Sequence, residues 1–217
     1  MVTEFIFVRH GETDANRAGI LQGGSVNLPL NETGKLQAEA AAEYLKSEAF
    51  DAAFSSDLLR AAETARIIID KNKNDVPLFM TPQLQEWKCG EMDGMSFSEI
   101  YDRFPAEGKS FAFEQIETVM PGGECGLDFQ SRIEAFLKKV CDEYAGKKIL
   151  LVAHGGVLQR IFRFVAGVVA EGNLIPLAGN ASINSFVFNH KLNAWQLTAW
   201  NIREHLKGIP QHISRVY

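Results

Sequence analysis

The stretch FIFVRHGE at residues 5–12 is the strongest indication of the fold in this sequence. Its first four residues are aromatic or β-branched, and they form an apolar run of the length of a buried strand. The run stops at Arg9 and His10, and Gly11 then lets the backbone turn away and lets another molecule approach closely. In open α/β sheets the ligand crevice lies outside the carboxyl ends of the strands. The pattern therefore places a cation and an imidazole where a ligand would bind, although a strand followed by a polar turn fits this stretch equally well.

A second stretch, KILLVAHGG at residues 148–156, repeats the pattern and favours the functional interpretation. The apolar run at 149–152 leads into His154, which is followed by two glycines. Two buried strands that each end in a His-Gly step are hard to explain as two structural histidines. If the strands are parallel neighbours, His10 and His154 lie side by side at one rim of the sheet.

Length and charge limit the classes of protein to which the chain belongs. Its 217 residues, 46% of them hydrophobic, suit one α/β domain over 1–217 with a modest insertion. The net charge of −5 and the pI of about 5.6 argue against a nucleic-acid surface. No apolar run has membrane length, so a membrane partner is not expected. A homodimer is left open.

The N-terminus and the cysteines predict a cytoplasmic location. The first four residues lack the basic region of a signal peptide and lead directly into a strand. Cys89, Cys125 and Cys141 are an odd number without metal-ligand spacing. We therefore expect ordinary, partly buried thiols in a reducing cytosol.

Alternating strand and helix patterns predict the fold class, an α/β, three-layer α/β/α sandwich with a mainly parallel central sheet. An antiparallel hairpin at 183–200, with its turn at 190–193, is expected at one edge of that sheet. A segment at about 84–125 is irregular, and we expect it to act as a cap over the rim that holds the two histidines. The expected strands are 5–8, 50–54, 76–80, 149–152, 183–189 and 194–200, and the expected helices are 34–47, 58–70, 97–104, 127–144 and 155–168.

Five residues together would suit phosphoryl transfer: Arg9, His10, Arg60, Glu86 and His154. Arg60 falls in the first turn of a predicted helix, after a Ser-Ser-Asp cluster expected to cap it; a cation is out of place there unless it faces an anion. Two arginines bind a phosphoryl dianion, a neutral imidazole attacks phosphorus, and a carboxylic acid protonates the leaving oxygen. This chemistry needs no cofactor and no metal, and the sequence holds neither a nucleotide-binding glycine loop nor an HExxH motif.

At these residues the sequence resembles the histidine phosphatase superfamily, which includes the cofactor-dependent phosphoglycerate mutases. The run RHGET at 9–13, directly after a strand, is similar to the family signature, and the resemblance extends to about residue 200. Other segments that match the family pattern are Pro29-Leu30 with Gly34 and Gln37-Ala38, Ser55 to Leu58 with Arg60-Ala61 and Glu63 to Ala65, Leu84 to Glu86, Gly90 to Gly94, Pro121 to Glu124, Ala153 to Gly155, and Asn180 to Ile183.

The resemblance implies a role for each matching position. His10 would be the nucleophile that becomes phosphohistidine, and Arg9, Arg60 and His154 would hold the transferring phosphoryl group. Glu86 would protonate the leaving oxygen and then help to activate water. The residues expected to contact phosphate or substrate are Asn16, Gln22, Gly23 and Gly155.

Two departures from the family pattern leave questions open. Many phosphatases have a Trp-Glu pair where this chain has Met92-Asp93, so Glu91 or Asp93 remains a candidate to share the acid role. Cys125 stands where serine is common.

Hydrolysis is favoured over mutase activity on two grounds. The mutase branch commonly has asparagine two residues after the second histidine, where this chain has Gly156. Mutases also carry basic residues in the insertion, whereas residues 108–124 hold a single one, Lys109, against Glu114, Glu117 and Glu124. A non-catalytic binding module of this fold is a further alternative, although it would be expected to have lost one of the five positions. A metallohydrolase is weaker still, because the arginines would repel a cation.

The resemblance implies a small phosphorylated substrate as the partner. Sugar phosphates, nucleotide-derived phosphates and small carboxylate phosphates all stay open. The pocket beyond the phosphate is expected to be built by the cap segment and the loop at 19–28. Trp87 and the phenylalanines of the cap segment are expected to serve in packing, with an apolar pocket as the alternative. His190, His205 and His212 are expected to face solvent.

Overall fold

The computed structural model describes residues 1–105, 117, 119–168 and 176–211. The strands are β1 Val2–Arg9, β2 Ala52–Ser56, β3 Leu78–Thr81, β4 Lys148–Ala153, β5 Ile183–Asn189 and β6 Ala194–Ile202. The helices are α1 Asp14–Ala18, α2 Glu32–Leu45, α3 Leu59–Lys71, α4 Phe97–Arg103, α5 Gly126–Glu143 and α6 Gly155–Ala166. Short 3₁₀ turns cover Pro82–Leu84, Gly90–Met92 and Glu204–Leu206.

The six strands form one mixed sheet in the order β3-β2-β4-β1-β5-β6. Strands β1 to β4 run parallel, and β1 pairs with β4 in a register that sets Arg9 opposite Ala153. The hairpin of β5 and β6 is antiparallel and closes one edge. The expected fold class is therefore confirmed. The register also confirms the expected placement of the two histidines, because β1 and β4 end side by side immediately before them.

The alternation of side chains along the central strands creates two separate cores. On one face, Phe5 and Phe7 of β1 pack in a cluster with buried residues of α5 and α6. On the other face, Val8 and its neighbours in β4 pack against the alanine-rich sides of α2 and α3. Successive strand residues point to opposite faces, so this division gives the three-layer arrangement directly.

The turn after β1 is compact because two glycines face each other. A Cβ on Gly11 would lie 2.3 Å from the carbonyl oxygen of Gly34, and a Cβ on Gly34 would lie 2.0 Å from that of Glu12. The sequence suggested that Gly11 lets another molecule approach closely. In the structure the close neighbour is the backbone of α2. Glu12 is fully buried here and accepts hydrogen bonds from Arg17 and Asn31.

Several local predictions differ from the structure. The loop after β1 contains a short helix, α1, whose capping box joins Thr13 and Asn16. Helix α3 begins after Leu58, so the Ser-Ser-Asp cluster does not supply its N-cap residue; the side chain of Asn27, from a distant loop, accepts the N–H of Leu59 at 2.7 Å. His190 and His205 are half-buried and hydrogen-bonded, to Thr3 Oγ1 and to the carbonyl oxygen of Ala181, so the expectation that they face solvent was wrong.

Some predictions fall outside the described residues. These concern Lys109, Phe111, Phe113, Glu114 and His212. The three cysteines are free; Cys89 and Cys141 are buried and Cys125 is half-buried, as expected for ordinary thiols. No helix in the part of the chain that the structure describes is long and apolar enough to cross a membrane.

Candidate active site

A cleft opens at the carboxyl ends of β1 and β4 and contains most of the predicted site. Its walls come from the strand ends, the loop after α1, the cap segment, the first turns of α6 and the chain on either side of the hairpin. The described residues that line it are Arg9, His10, Asn16, Ile20, Leu21, Gln22, Gly23, Arg60, Glu86, Trp87, Cys89, Phe97, Phe129, Gly155, Gly156, Gln159, Arg160, Leu177, Ala178, Gly179, Asn201 and Arg203.

His10 is fixed at the base of this cleft by its own turn. Its Nδ1 lies 2.7 Å from the carbonyl oxygen of Gly11, and the side chain is 3% exposed. A carbonyl oxygen only accepts hydrogen bonds, so Nδ1 carries the proton and Nε2 keeps its lone pair. Burial, and then the charges of Arg60 and Arg9, hold the pKa of His10 well below its usual value. The imidazole is therefore neutral, with one free ring nitrogen.

His154 lies beside His10 and is equally buried. The two ring centroids are 5.1 Å apart. The Nε2 atom of His154 lies 2.8 Å from Ser56 Oγ, which also accepts the N–H of Leu58. Burial, Arg60 and His10 lower the pKa of His154 well below normal. A hydroxyl that donates to Nε2 leaves the proton on Nδ1, which is buried without a hydrogen-bond partner among the described residues.

Arg9 and Arg60 converge on the same space from two elements. Arg9 Nη1 donates to the carbonyl oxygen of Ala178 at 2.7 Å. Arg60 donates from Nη1 to Val26 and from Nη2 to Gly23, both at carbonyl oxygens. The Nε–H of each arginine is buried and has no partner in the described part of the chain. Burial lowers the pKa of Arg60 to about 10, so it still carries its charge at neutral pH.

Glu86 enters the cleft from the cap segment and is held by two backbone N–H groups. Its Oε2 accepts from Gly156 at 2.9 Å, and its Oε1 accepts from Trp87 at 3.0 Å. Gly156 stands in the first turn of α6, two residues after the second histidine. A Cβ at this position would lie only 2.4 Å from Glu86 Oε1, so the carboxyl group occupies the space that the missing side chain leaves.

The segment around Pro121-Gly122-Gly123-Glu124 stabilises the backbone at Glu86. Trp87 Nε1 donates to the carbonyl oxygen of Glu124 at 2.8 Å. Arg132 pairs with the Glu124 carboxylate at 2.8 Å and also donates to the carbonyl oxygen of Glu86. The family resemblance included this segment but did not explain what it does. These contacts show that it supports the backbone of Glu86.

The two neighbouring acidic residues lie elsewhere. Glu91 is exposed, and Asp93 packs against Gly23 and accepts the N–H of Ser25 at 3.2 Å. Burial raises the pKa of Asp93, but neither residue lines the cleft. Of the three acidic residues left open by the sequence, the structure brings only Glu86 to the histidines.

The predicted substrate contacts all line the cleft, at different depths. Gln22 is buried, and its Oε1 has no partner within the described ranges. Asn16 caps α1 and accepts a hydrogen bond from Asn180, which also donates to the carbonyl oxygen of His10. Gly23 contributes the carbonyl oxygen that Arg60 binds, and Gly155 begins α6 beside the Arg9 guanidinium.

Sequence reasoning missed five polar residues of the site. Ser56 was assigned to a helix cap and to a segment that resembles the family, but not to the site, although it is the partner of His154. Gln159, Arg160, Asn201 and Arg203 line the cleft from α6, from the end of β6 and from the chain after it. The one-turn spacing of Gln159 after Gly155 and Gly156 was a usable signal; nothing local marks Arg203. Within the described ranges no cluster of three or more His, Cys, Asp or Glu side chains could hold a metal ion.

Comparison with known proteins gives a consistent picture. The sequence matches the profile of the histidine phosphatase superfamily (branch 1) over residues 5–203. It is similar to the metal-independent phosphoserine phosphatase of Arabidopsis thaliana, with 34% identity over 96% of this chain and 85% of the relative. It is also similar to phosphoglycerate mutase-like protein 4 of the same plant, with 31% identity over 94% of this chain and 87% of the relative.

Among solved structures, a mycobacterial glucosyl-3-phosphoglycerate phosphatase in complex with VO3 superposes with a TM-score of 0.81. It is 27% identical, and the match covers 92% of this chain and 99% of that one.

Proposed function

Because the chain belongs to the histidine phosphatase superfamily (branch 1), we propose that it hydrolyses small phosphomonoesters through a covalent phosphohistidine intermediate. One observation carries the proposal: three buried donors without described partners, Arg9 Nε, Arg60 Nε and His154 Nδ1, accompany a neutral nucleophile. Buried donors that lack partners are costly, and a phosphoryl group with three acceptor oxygens would satisfy them. The reaction proposed needs no metal.

In the first step, His10 Nε2 attacks phosphorus and the bond from phosphorus to the leaving oxygen breaks. The lone pair on Nε2 is available because Nδ1 donates to Gly11. Arg9 and Arg60 offset the negative charge that otherwise repels a nucleophile. The leaving oxygen takes its proton from Glu86, which the cap segment holds at the edge of the same cleft.

In the second step, a water molecule attacks the phosphorus of phosphohistidine and the P–N bond breaks. Glu86, now a carboxylate, accepts the proton from that water. Orthophosphate leaves, and His10 and Glu86 return to their starting protonation states. His154 donates from Nδ1 to a phosphoryl oxygen in both steps, while Ser56 keeps its tautomer fixed.

Hydrolysis is favoured over mutase activity by the contact between Gly156 and Glu86. The mutase branch commonly has asparagine at the position of Gly156. Any side chain here would collide with Glu86, since even a Cβ would lie 2.4 Å from Oε1. The position of the Glu86 carboxyl group therefore depends on Gly156, the residue that distinguishes this chain from the mutases.

A panel of phosphomonoesters tests the proposal. The protein is assayed for orthophosphate release with and without EDTA, and separately for interconversion of 2- and 3-phosphoglycerate with a bisphosphoglycerate primer. We expect phosphate release that EDTA leaves unchanged and little interconversion. Activity that EDTA abolishes and a divalent ion restores would contradict the metal-independent mechanism, and efficient primer-dependent interconversion would replace hydrolysis by mutase activity.

Three further features belong to this proposal. The described part of the segment at 84–125 acts as a cap, because Glu86, Trp87 and Phe97 line the cleft from it. The protein works in the cytoplasm, which agrees with three free thiols. A homodimer stays open, and sedimentation of the purified protein decides it.

A further inference from the structure

The strongest feature that the phosphoryl mechanism leaves unused is Arg203, in the lining of the cleft. It follows β6 and is half-buried. Its carbonyl oxygen accepts the N–H of Leu206, but its guanidinium group makes no hydrogen bond or ion pair within the described residues. Elsewhere in the structure, Arg17 pairs with Glu12 and Arg132 pairs with Glu124. A guanidinium group that lines a cleft and has no partner among the described residues is available to a ligand.

Arg203 is placed close to the phosphoryl pocket by one loop. Gly179 makes room for it, since a Cβ at that position would lie 3.0 Å from both Cδ and Nη1 of Arg203. The preceding residue, Ala178, accepts the hydrogen bond of Arg9 Nη1. The loop is tied to β6 because Asn201 Oδ1 accepts the Gly179 N–H at 2.9 Å. The two arginines therefore contact one short segment, Arg9 at Ala178 and Arg203 at Gly179.

The charge of the cleft exceeds what one phosphoryl group requires. The described lining holds four arginines, Arg9, Arg60, Arg160 and Arg203, against one carboxylate, Glu86. The whole chain has a net charge of −5, so this positive charge is concentrated locally. Arg9 and Arg60 match the phosphoryl dianion. Arg160 lies over the ring of Trp87, with its Cζ 5.2 Å from the ring centroid. Arg203 is left for a different part of the substrate.

We propose that Arg203 binds a second anionic group on the leaving portion of the substrate, a carboxylate or a second phosphate. Both groups present the oxygen pair that a guanidinium fork binds with two hydrogen bonds. The inference rests on the proposed hydrolysis and narrows its substrates. Phosphomonoesters with a second anionic group are preferred over those with a neutral leaving group.

Two matched pairs of substrates test this and separate the two kinds of anion. 3-Phosphoglycerate differs from glycerol 3-phosphate by a carboxylate in place of a hydroxymethyl group. Fructose 1,6-bisphosphate differs from fructose 6-phosphate by a second phosphate. We expect kcat/KM to favour the doubly anionic member of at least one pair by about ten- to a hundredfold, as for hydrogen bonds to charged groups. The pair that shows the preference identifies the anion.

The variant Arg203→Gln should remove that preference and leave hydrolysis of the neutral member within about threefold of wild type. Arg203→Lys should retain part of it. The control Arg66→Gln removes the same charge from an exposed position outside the cleft and should leave the preference intact.

Two results would overturn the role of Arg203 and leave the proposed hydrolysis intact. One is equal hydrolysis of both members of each pair by the wild-type enzyme, and the other is a preference that survives in Arg203→Gln. If no ester is hydrolysed, the proposed function fails. The affinities of 3-phosphoglycerate and glycerol 3-phosphate for the His10→Ala protein, measured by calorimetry, then still test Arg203. Equal affinities, together with equal affinities for the fructose pair, would contradict its role.

Discussion

Substituting Gly156 by alanine tests the link between the second histidine segment and the acid. The new Cβ would lie 2.4 Å from Glu86 Oε1, whereas ordinary van der Waals contact begins at 3.4 Å. The carboxyl group must therefore retreat by about 1 Å, the difference between these two distances. The retreat also stretches the 2.9 Å hydrogen bond from the Gly156 N–H to Oε2.

The kinetic consequence follows from the role of the acid. A misplacement of about 1 Å can cost on the order of 10²-fold in rate, which is about 2.7 kcal/mol in the barrier. A general acid contributes most when the leaving group is poor. We expect Gly156→Ala to lower kcat by about 10²-fold on glycerol 3-phosphate and much less on an aryl phosphate such as p-nitrophenyl phosphate.

Two comparisons separate this effect from a general disturbance of α6. Gly155→Ala adds the same methyl group one residue earlier, where its Cβ would lie 3.6 Å from Arg9 Cζ, an ordinary contact. It should cost less and show no dependence on the leaving group. Glu86→Gln should reproduce the leaving-group dependence, and the double variant should be no slower than Glu86→Gln alone, because both changes act through one group. Equal losses on both esters, or fully additive losses, would refute the assignment of Glu86.

Three further predictions concern the supporting groups. Burial places the folded-state pKa values of His10 and His154 below the unfolded value of 6.5, so the unfolded state takes up protons first as pH falls. In urea denaturation, the free energy of unfolding should fall by about 1 kcal/mol per histidine between about pH 6.5 and 5.5. The variant His154→Gln should lose the contribution of His154 to this pH dependence, and a pH dependence equal to that of wild type would contradict the prediction. Ser56→Ala should slow turnover about fivefold, the equivalent of one hydrogen bond, with recovery in Ser56→Thr; a wild-type rate would exclude the positioning role. Cys125 is an N-cap without a side-chain bond, so Cys125→Ser should stabilise the protein by about 0.5–1 kcal/mol and Cys125→Ala should not, as thermal unfolding would show.

Local sequence patterns were sufficient to predict the sheet and the rim. The ends of β1 and β4 are each marked by the change from apolar residues to a His-Gly step. The parallel order of the strands then follows from the intervening helices. His10 and His154 could therefore be paired without coordinates, and even the bond from His10 to Gly11 was predictable because it spans one residue.

Contacts between distant segments were not predictable in the same way. Ser56 meets His154 across 98 positions, and Glu86 meets Gly156 across 70. In the sequence, Gly156 stood out only because mutases commonly have asparagine at this position. The physical reason for a glycine here is that a side chain would collide with Glu86, which belongs to another segment. Arg203 follows a strand of no special composition, so only the folded chain reveals that it reaches the cleft.

If His10 carries the phosphoryl group, trapping of the covalent intermediate identifies it directly. The protein is mixed briefly with a radiolabelled phosphomonoester and denatured at alkaline pH, because phosphohistidine is labile in acid; the labelled residue is then located by peptide mapping. We expect label on His10, loss of both label and turnover in His10→Ala, and slower labelling at the same residue in His154→Ala. Label on His154, or full turnover by the His10→Ala protein, would show that His10 is not the nucleophile.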